Sequence, residues 1–214
     1  MKSKKSKHGK PESHRKTGRV NRRDQILSAT EKILRSRGLS GATTRQIAEA
    51  AGCSEAALYV HFKGRVELLL AVLEESLPDM LQPLQALADT VGKGTPPQNL
   101  EKALGGIYAF HQRVTPMIAG LFAEPALLAR YRKSLTQSAK GPRRAISNLA
   151  EYVRREQDLG RISSQVEAET AATLLMSASF FRAFTEHFFG KPAGPPGRGY
   201  FRQAIASVLN GQTE

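Results

Sequence analysis

The chain has 214 residues, 40% of them hydrophobic, with 32 Lys and Arg against 19 Asp and Glu and a net charge of +13. That length and apolar content can bury a core, and the charge favours an acidic polymer or anionic surface as partner. The single cysteine, Cys53, excludes a disulfide frame or a thiolate metal site, and no apolar run approaches the roughly 20 residues that span a bilayer, so a cytoplasmic protein with no membrane partner is expected.

Much of the charge sits at one end. Residues 1 to 23 hold ten cations against the single Glu12, or +9, and almost nothing apolar, so residues 1–21 are expected to be a disordered basic arm. Such an arm either solubilises the chain or lies along nucleic-acid phosphates.

From Arg22 the pattern turns helical, with Ile26, Leu27, Thr30, Ile33 and Leu34 on one face until Arg37 and Gly38 end the run. Two short helices follow between Thr43 and Phe62. Thr44 is positioned to cap the first, whose inward stripe is Ile47, Ala48 and Ala51. Gly52 supplies the positive φ of a sharp exit, and Ser54 caps the second helix. Ala57 and Leu58 face in, which leaves Glu55, Ala56, Tyr59, Val60 and His61 to project. This is a helix-turn-helix, a unit whose second helix enters the DNA major groove when it reads DNA. Phe62 plugs the underside, and residues 22–65 make a three-helix head.

Residues 66–214 form a helical body. A long helix opens near Arg65, carries Val66, Leu69, Leu70, Leu73 and Leu77, kinks at Pro78 and runs to about Val91. Beyond the separator Gly92–Pro97, helices are expected over Leu100–Val114, Pro116–Phe122 and Pro125–Ala139, each proline at or near a helix start. Further helices are expected over 143–159, over 166–189 beneath Ser163 or Ser164, and over Tyr200–Leu209 after the spacer Gly190–Gly199. No strand signal appears, so the fold class is all-α.

The segments ILSATEKIL and RGLSGATTRQIAEAAGCSEAALYVHFKGRVELL, between about Arg23 and Leu70, resemble the tetracycline-repressor-like (TetR) family of bacterial regulators. The resemblance implies that Thr44 and Tyr59 hold DNA phosphates, and that Arg45 and the front of the second helix, with Ser54, Glu55, Ala56 and Ala57, meet bases or groove wall. His61 and Lys63 flank that surface, and Arg65, where lysine is usual, grips the backbone with its charge kept. Cys53 stands where valine is usual. The resemblance also implies a homodimer through helices 143–159 and 166–189, an operator palindrome, and an unknown small-molecule effector. Its pocket would lie between the connecting helix and the next four, with Tyr108, His111, Met117, Phe122, Tyr131, Met176 and Phe180 as candidate lining; as ordinary core residues they would simply fill space.

The implied function is a ligand-responsive repressor. Two other readings use the same residues: a nonspecific basic nucleic-acid-associated protein, in which the arm does the binding, and an activator of the same family. A catalytic reading finds no support. His8, His14, His61, His111 and His187 show no metal-ligand spacing and no partner cysteine, and Gly105 and Gly106 lie inside an amphipathic run, where they form no phosphate cradle. No enzyme, metal or cofactor is expected.

Overall fold

The computed structural model describes residues 21–138, 141–191, 194 and 197–210, so the expected arm, apart from residue 21, lies outside the described residues. These residues hold α1 (Arg22–Arg37), α2 (Thr44–Ala50), α3 (Glu55–His61), α4 (Arg65–Ala88), α5 (Pro96–Leu121), α6 (Pro125–Ser138), α7 (Pro142–Asp158), α8 (Ala168–Phe189) and α9 (Gly197–Asn210), and no strand.

Helix α1 packs on α2 and α4, and α2 on α3, which makes the head. Helix α4 then runs from the head into the body against α5 and α7. In the body α5 and α8 form the most extensive pair, with α7 and α9 flanking α8 and α6 resting on α4 and α5. One buried apolar cluster runs from Ile26 and Leu58 in the head through Leu68, Leu69 and Leu73 of α4 to Leu175 and Ile205. Head and body therefore share a core, and α4 is the element that joins them.

Several helix limits differ from the sequence reading for identifiable reasons. The cap of α2 is Thr43, which has extended backbone and accepts from the Gln46 amide at 3.3 Å, while Thr44 is the first helical residue. Helix α5 does not stop before Pro116. Proline removes the amide that would bond the Gln112 carbonyl, and His187 Nε2 of α8 takes that carbonyl at 2.7 Å. Helix α4 ends at Ala88, with Pro78 and Pro83 inside it. Where Pro83 crosses α5 it faces Gly106, at which a Cβ would lie 2.6 Å from the proline Cγ. Helix α8 begins under Glu167, whose carboxylate accepts from the amides of Glu169 and Thr170 at 3.0 and 2.6 Å, and not under a serine. Helix α9 begins at Gly197, inside the expected spacer.

Candidate nucleic-acid interface

The helix-turn-helix is built from complementary local devices. At the start of α2, Thr43 and Gln46 form a capping box, each side chain reaching the other's backbone amide. At its end Gly52 takes φ +64°, and the amides of Gly52 and Cys53 bond the carbonyls of Glu49 and Ala48. No heavy atom lies near a Cβ built on Gly52, so its backbone angle alone calls for glycine. Ser54 Oγ then accepts from the Ala57 amide at 3.1 Å and starts α3. Inside, Ile47, Ala48 and Leu58 are buried, and Phe62 is buried with the Arg23 guanidinium 5.3 Å above its ring.

This packing leaves a polar and apolar front. Tyr59 is 51% and Val60 80% exposed, an unusual degree for large side chains that have a core available beneath them. Arg45, Ser54, Glu55, Ala56 and Lys63 are also exposed, whereas Thr44, Ala57 and His61 are half-buried. Arg45 and Lys63 are exposed and make no ion pair among the described residues. Glu49 and Glu55 are exposed beside them. Short of the arm, this front is not strongly basic.

Arg65, expected to grip the DNA backbone, is engaged within the protein. Its Nε donates to the Ala42 carbonyl at 2.9 Å and Nη2 to the Leu39 carbonyl at 2.6 Å, while Nη1 and Nη2 form a bidentate pair with Glu124 at 2.9 and 2.8 Å. Four of its N–H donors are held inside the protein. That pairing keeps the Glu124 carboxyl below the usual carboxylate range. Glu124, 59 residues away, was not anticipated from sequence.

Of the seven candidate pocket residues, Tyr108 lines a groove of about 500 Å³ between α5 and α9, with Gln98, Glu101, Lys102, Gly105, Phe201 and Arg202. Its hydroxyl bonds Glu186 and accepts from Gln112 at 2.6 Å, and burial, then Glu186, raises its pKa. His111 is buried with Nδ1 3.0 Å from Ser179 Oγ, and burial pushes it down to about 4, so the ring is neutral. Met117, Tyr131 and Met176 are buried, Tyr131 pushed up to about 12 chiefly by that burial. Phe180 is partly exposed with its ring edge-on to His111, and Phe122, 71% exposed in the turn after α5, points away from any interior. Among the described residues no cluster of three or more His, Cys, Asp or Glu side chains is placed to hold a metal ion.

Residues 26–72 match the family described as bacterial regulatory proteins, tetR family, a span that covers the helix-turn-helix just described. Over this span the chain is similar to the tetR family. Among curated proteins, this chain is 34% identical over 93 residues to the transcriptional activator FasR of Mycolicibacterium smegmatis, covering 43% of this chain and 41% of that one. It is 35% identical over 71 residues to the transcriptional repressor KstR2 of the same species, covering 33% and 35%. The matched segments thus span less than half the length of either relative. A putative TetR-family regulator from Mesorhizobium loti superposes with a TM-score of 0.69 at 15% identity, covering 89% of this chain and 94% of that one, which extends the shared fold to the body. No helix among the described residues is long and apolar enough to cross a membrane.

Proposed function

We propose that this chain is a tetR-family DNA-binding transcriptional regulator that reads a palindromic operator as a homodimer and releases it when a small molecule occupies the body. The observation that carries the reading is the front of α2 and α3. Tyr59 and Val60 are held outward by a helix whose caps and buried Leu58 fix it, and Arg45 and Lys63 of the same head are exposed with no ion-pair partner among the described residues. A phosphate accepts from a tyrosine hydroxyl and from both cations, and Val60, Ala56 and Ala57 are apolar enough to touch a thymine methyl. Residues 22–65 are taken as the reading head, 66–214 as the regulatory and dimerisation part, and the arm of residues 1–21 as an added phosphate contact.

Pairing of two copies is supported by α8. Leu174, Phe181 and Phe188 recur at seven-residue intervals and are 52%, 61% and 71% exposed, and Phe184 stacks between Phe180 and Phe188. A soluble helix with such a stripe covers it with a second apolar surface. The outward side chains of α7, Arg143, Arg144, Ser147, Glu151, Arg154 and Arg155, are polar, so α7 fits the rim of such a bundle better than its centre. Twofold pairing sets two heads on half-sites separated by roughly one turn of DNA, about 34 Å, or a multiple of it. Repression is the sign proposed, since an effector that disfavours operator spacing then switches expression on. Of the similar proteins, FasR is a transcriptional activator and KstR2 a transcriptional repressor.

Selection of bound sequences from a random DNA pool by the full chain tests this directly. The expected product is an inverted repeat bound by two copies, with Tyr59→Ala weakening binding and leaving the fold intact. Recovery of no preferred sequence, with binding abolished by deletion of residues 1–20, would establish the nonspecific reading instead.

A further inference from the structure

The side chain of Arg65 joins three pieces of chain that are far apart in sequence. It leaves the first residue of α4, crosses the carbonyls of Leu39 and Ala42 at the two ends of the α1–α2 turn, and closes a bidentate pair on Glu124 in the turn between α5 and α6. The Glu124 amide bonds the Leu121 carbonyl at 3.1 Å, so the carboxylate is presented from a closed turn. Beside the ion pair the two backbones approach closely: a Cβ built on Gly120 would lie 2.8 Å from the Leu39 Cβ. The residue after Ala42 is Thr43, the cap of α2. The α5–α6 turn of the body therefore touches the segment that starts the helix-turn-helix.

We propose that Glu124 is a positioning residue for DNA reading: by holding Arg65 against the Leu39 and Ala42 carbonyls it fixes the head relative to the body, and so fixes the spacing of the two recognition helices. This rests on the DNA-reading function proposed above. Neutralising Glu124 frees a guanidinium already bonded to two head carbonyls and loosens the docking of the head, with α3 itself untouched. Each head then still reads its half-site, but the pair samples a wider range of separations. A palindrome is bound less tightly, and a single half-site as before.

The alternatives differ in sign. If Glu124 merely competed with DNA for Arg65, Glu124→Gln would strengthen binding to both DNAs. If the pair served folding alone, the melting temperature would fall with affinities for both DNAs unchanged.

The experiment compares the full chain with Glu124→Gln and Gly120→Ala, the second pushing on Leu39 with no change in charge. Binding is measured to the selected palindrome and to one half-site of it, together with amide hydrogen exchange of the DNA-free protein. Positioning predicts about a tenfold loss on the palindrome in both variants, within the usual range of coupling between sites, and less than twofold on the half-site. It also predicts faster exchange over residues 39–43, the segment Arg65 holds, with α3, α7 and α8 unchanged. An unchanged palindrome-to-half-site ratio, or head exchange identical to the native chain, overturns the proposal. A native chain that selects no sequence overturns the DNA reading instead, and the exchange measurement still decides whether Glu124 holds the head.

Discussion

Arg45 and Arg65 flank the same helix-turn-helix, one on its front and one behind it, and their surroundings give them opposite roles. Arg45 extends from α2 into solvent with no acidic partner among the described residues, while Arg65 at the start of α4 is held by two carbonyls and a carboxylate. The guanidinium is the same planar five-donor group in both. What differs is the number of acceptors within reach, and those come from the α1–α2 turn and from Glu124. The front of the head is built to leave donors and apolar tips unsatisfied, and the back to leave none. A binding surface and a structural joint can thus use one residue type, and its neighbours decide which it becomes.

The sharpest test of that contrast compares two neighbours on α3. Leu58 is fully buried and Val60 is 80% exposed. Leu58→Ala should lower stability by about 3 kcal/mol, the middle of the range for a buried leucine, whereas Val60→Ala should change it by less than about 0.5 kcal/mol. Thermal unfolding measures both. A comparable loss for Val60→Ala would mean that the front of α3 is packed in the isolated chain and not free to meet DNA.

The interior of the body offers the next largest effect. His111 has a folded pKa of about 4 against an ordinary value of 6.5, because burial disfavours its charged form. The unfolded chain therefore binds more protons than the folded one between those values, and stability falls as the pH drops through that window and levels off below it. A shift of that size corresponds to about 3 kcal/mol across the whole window. His111→Gln, which keeps a partner for Ser179 and cannot titrate, should flatten the stability profile between pH 6.5 and 4. A profile as steep as before would place the proton uptake elsewhere.

Arg65→Ala and Arg45→Ala should then separate joint from surface. Removing Arg65 leaves two carbonyls and the Glu124 carboxylate without their donor in a partly covered site, worth about 2 kcal/mol of stability. Arg45→Ala should cost less than about 0.5 kcal/mol and act on DNA affinity alone. The reverse ranking in a melting experiment would break the contrast between the two ends of the head.

These pairs also show which parts of the molecule were legible in the sequence. The buried stripe of Ile47, Ala48 and Leu58, the turn at Gly52, the Ser54 cap and the plug at Phe62 follow from spacing and residue chemistry over a few positions, and the structure has each of them. What stayed hidden depends on partners distant in the chain. Pro116 reads as a helix start until His187 is found on the carbonyl it leaves free, 75 residues away. Arg65 reads from sequence as an exposed cation at a helix start, and its Glu124 partner lies 59 residues away. The pocket residues were chosen by aromatic and methionine content, which does not distinguish the buried Met117 from the outward Phe122. One signal was available: Gly120 inside an apolar helical run is the kind of glycine that marks close approach of another segment, and Leu39 occupies that space.

The smallest effect concerns adjacent threonines at the entrance to the helix-turn-helix. Both have the side chain of a good cap, and residue type alone does not choose between them. The choice is made by Gln46, which lies three residues after Thr43 and so completes a reciprocal box with it, the Thr43 amide donating to Gln46 Oε1 at 3.5 Å and Thr43 Oγ1 accepting from the Gln46 amide. Thr44 is already helical and half-buried, and its own hydroxyl caps nothing. Thr43→Ala should therefore cost about 1 kcal/mol, the usual loss for a cap, and Thr44→Ala a few tenths at most. In DNA binding the order should invert under the proposed function, because Thr43 acts through the helix it starts while Thr44 lies in the first turn of α2, where the resemblance implies a phosphate contact. Equal melting temperatures for the two variants would mean that the box contributes nothing, and that α2 is held by burial of Ile47 and Ala48 alone.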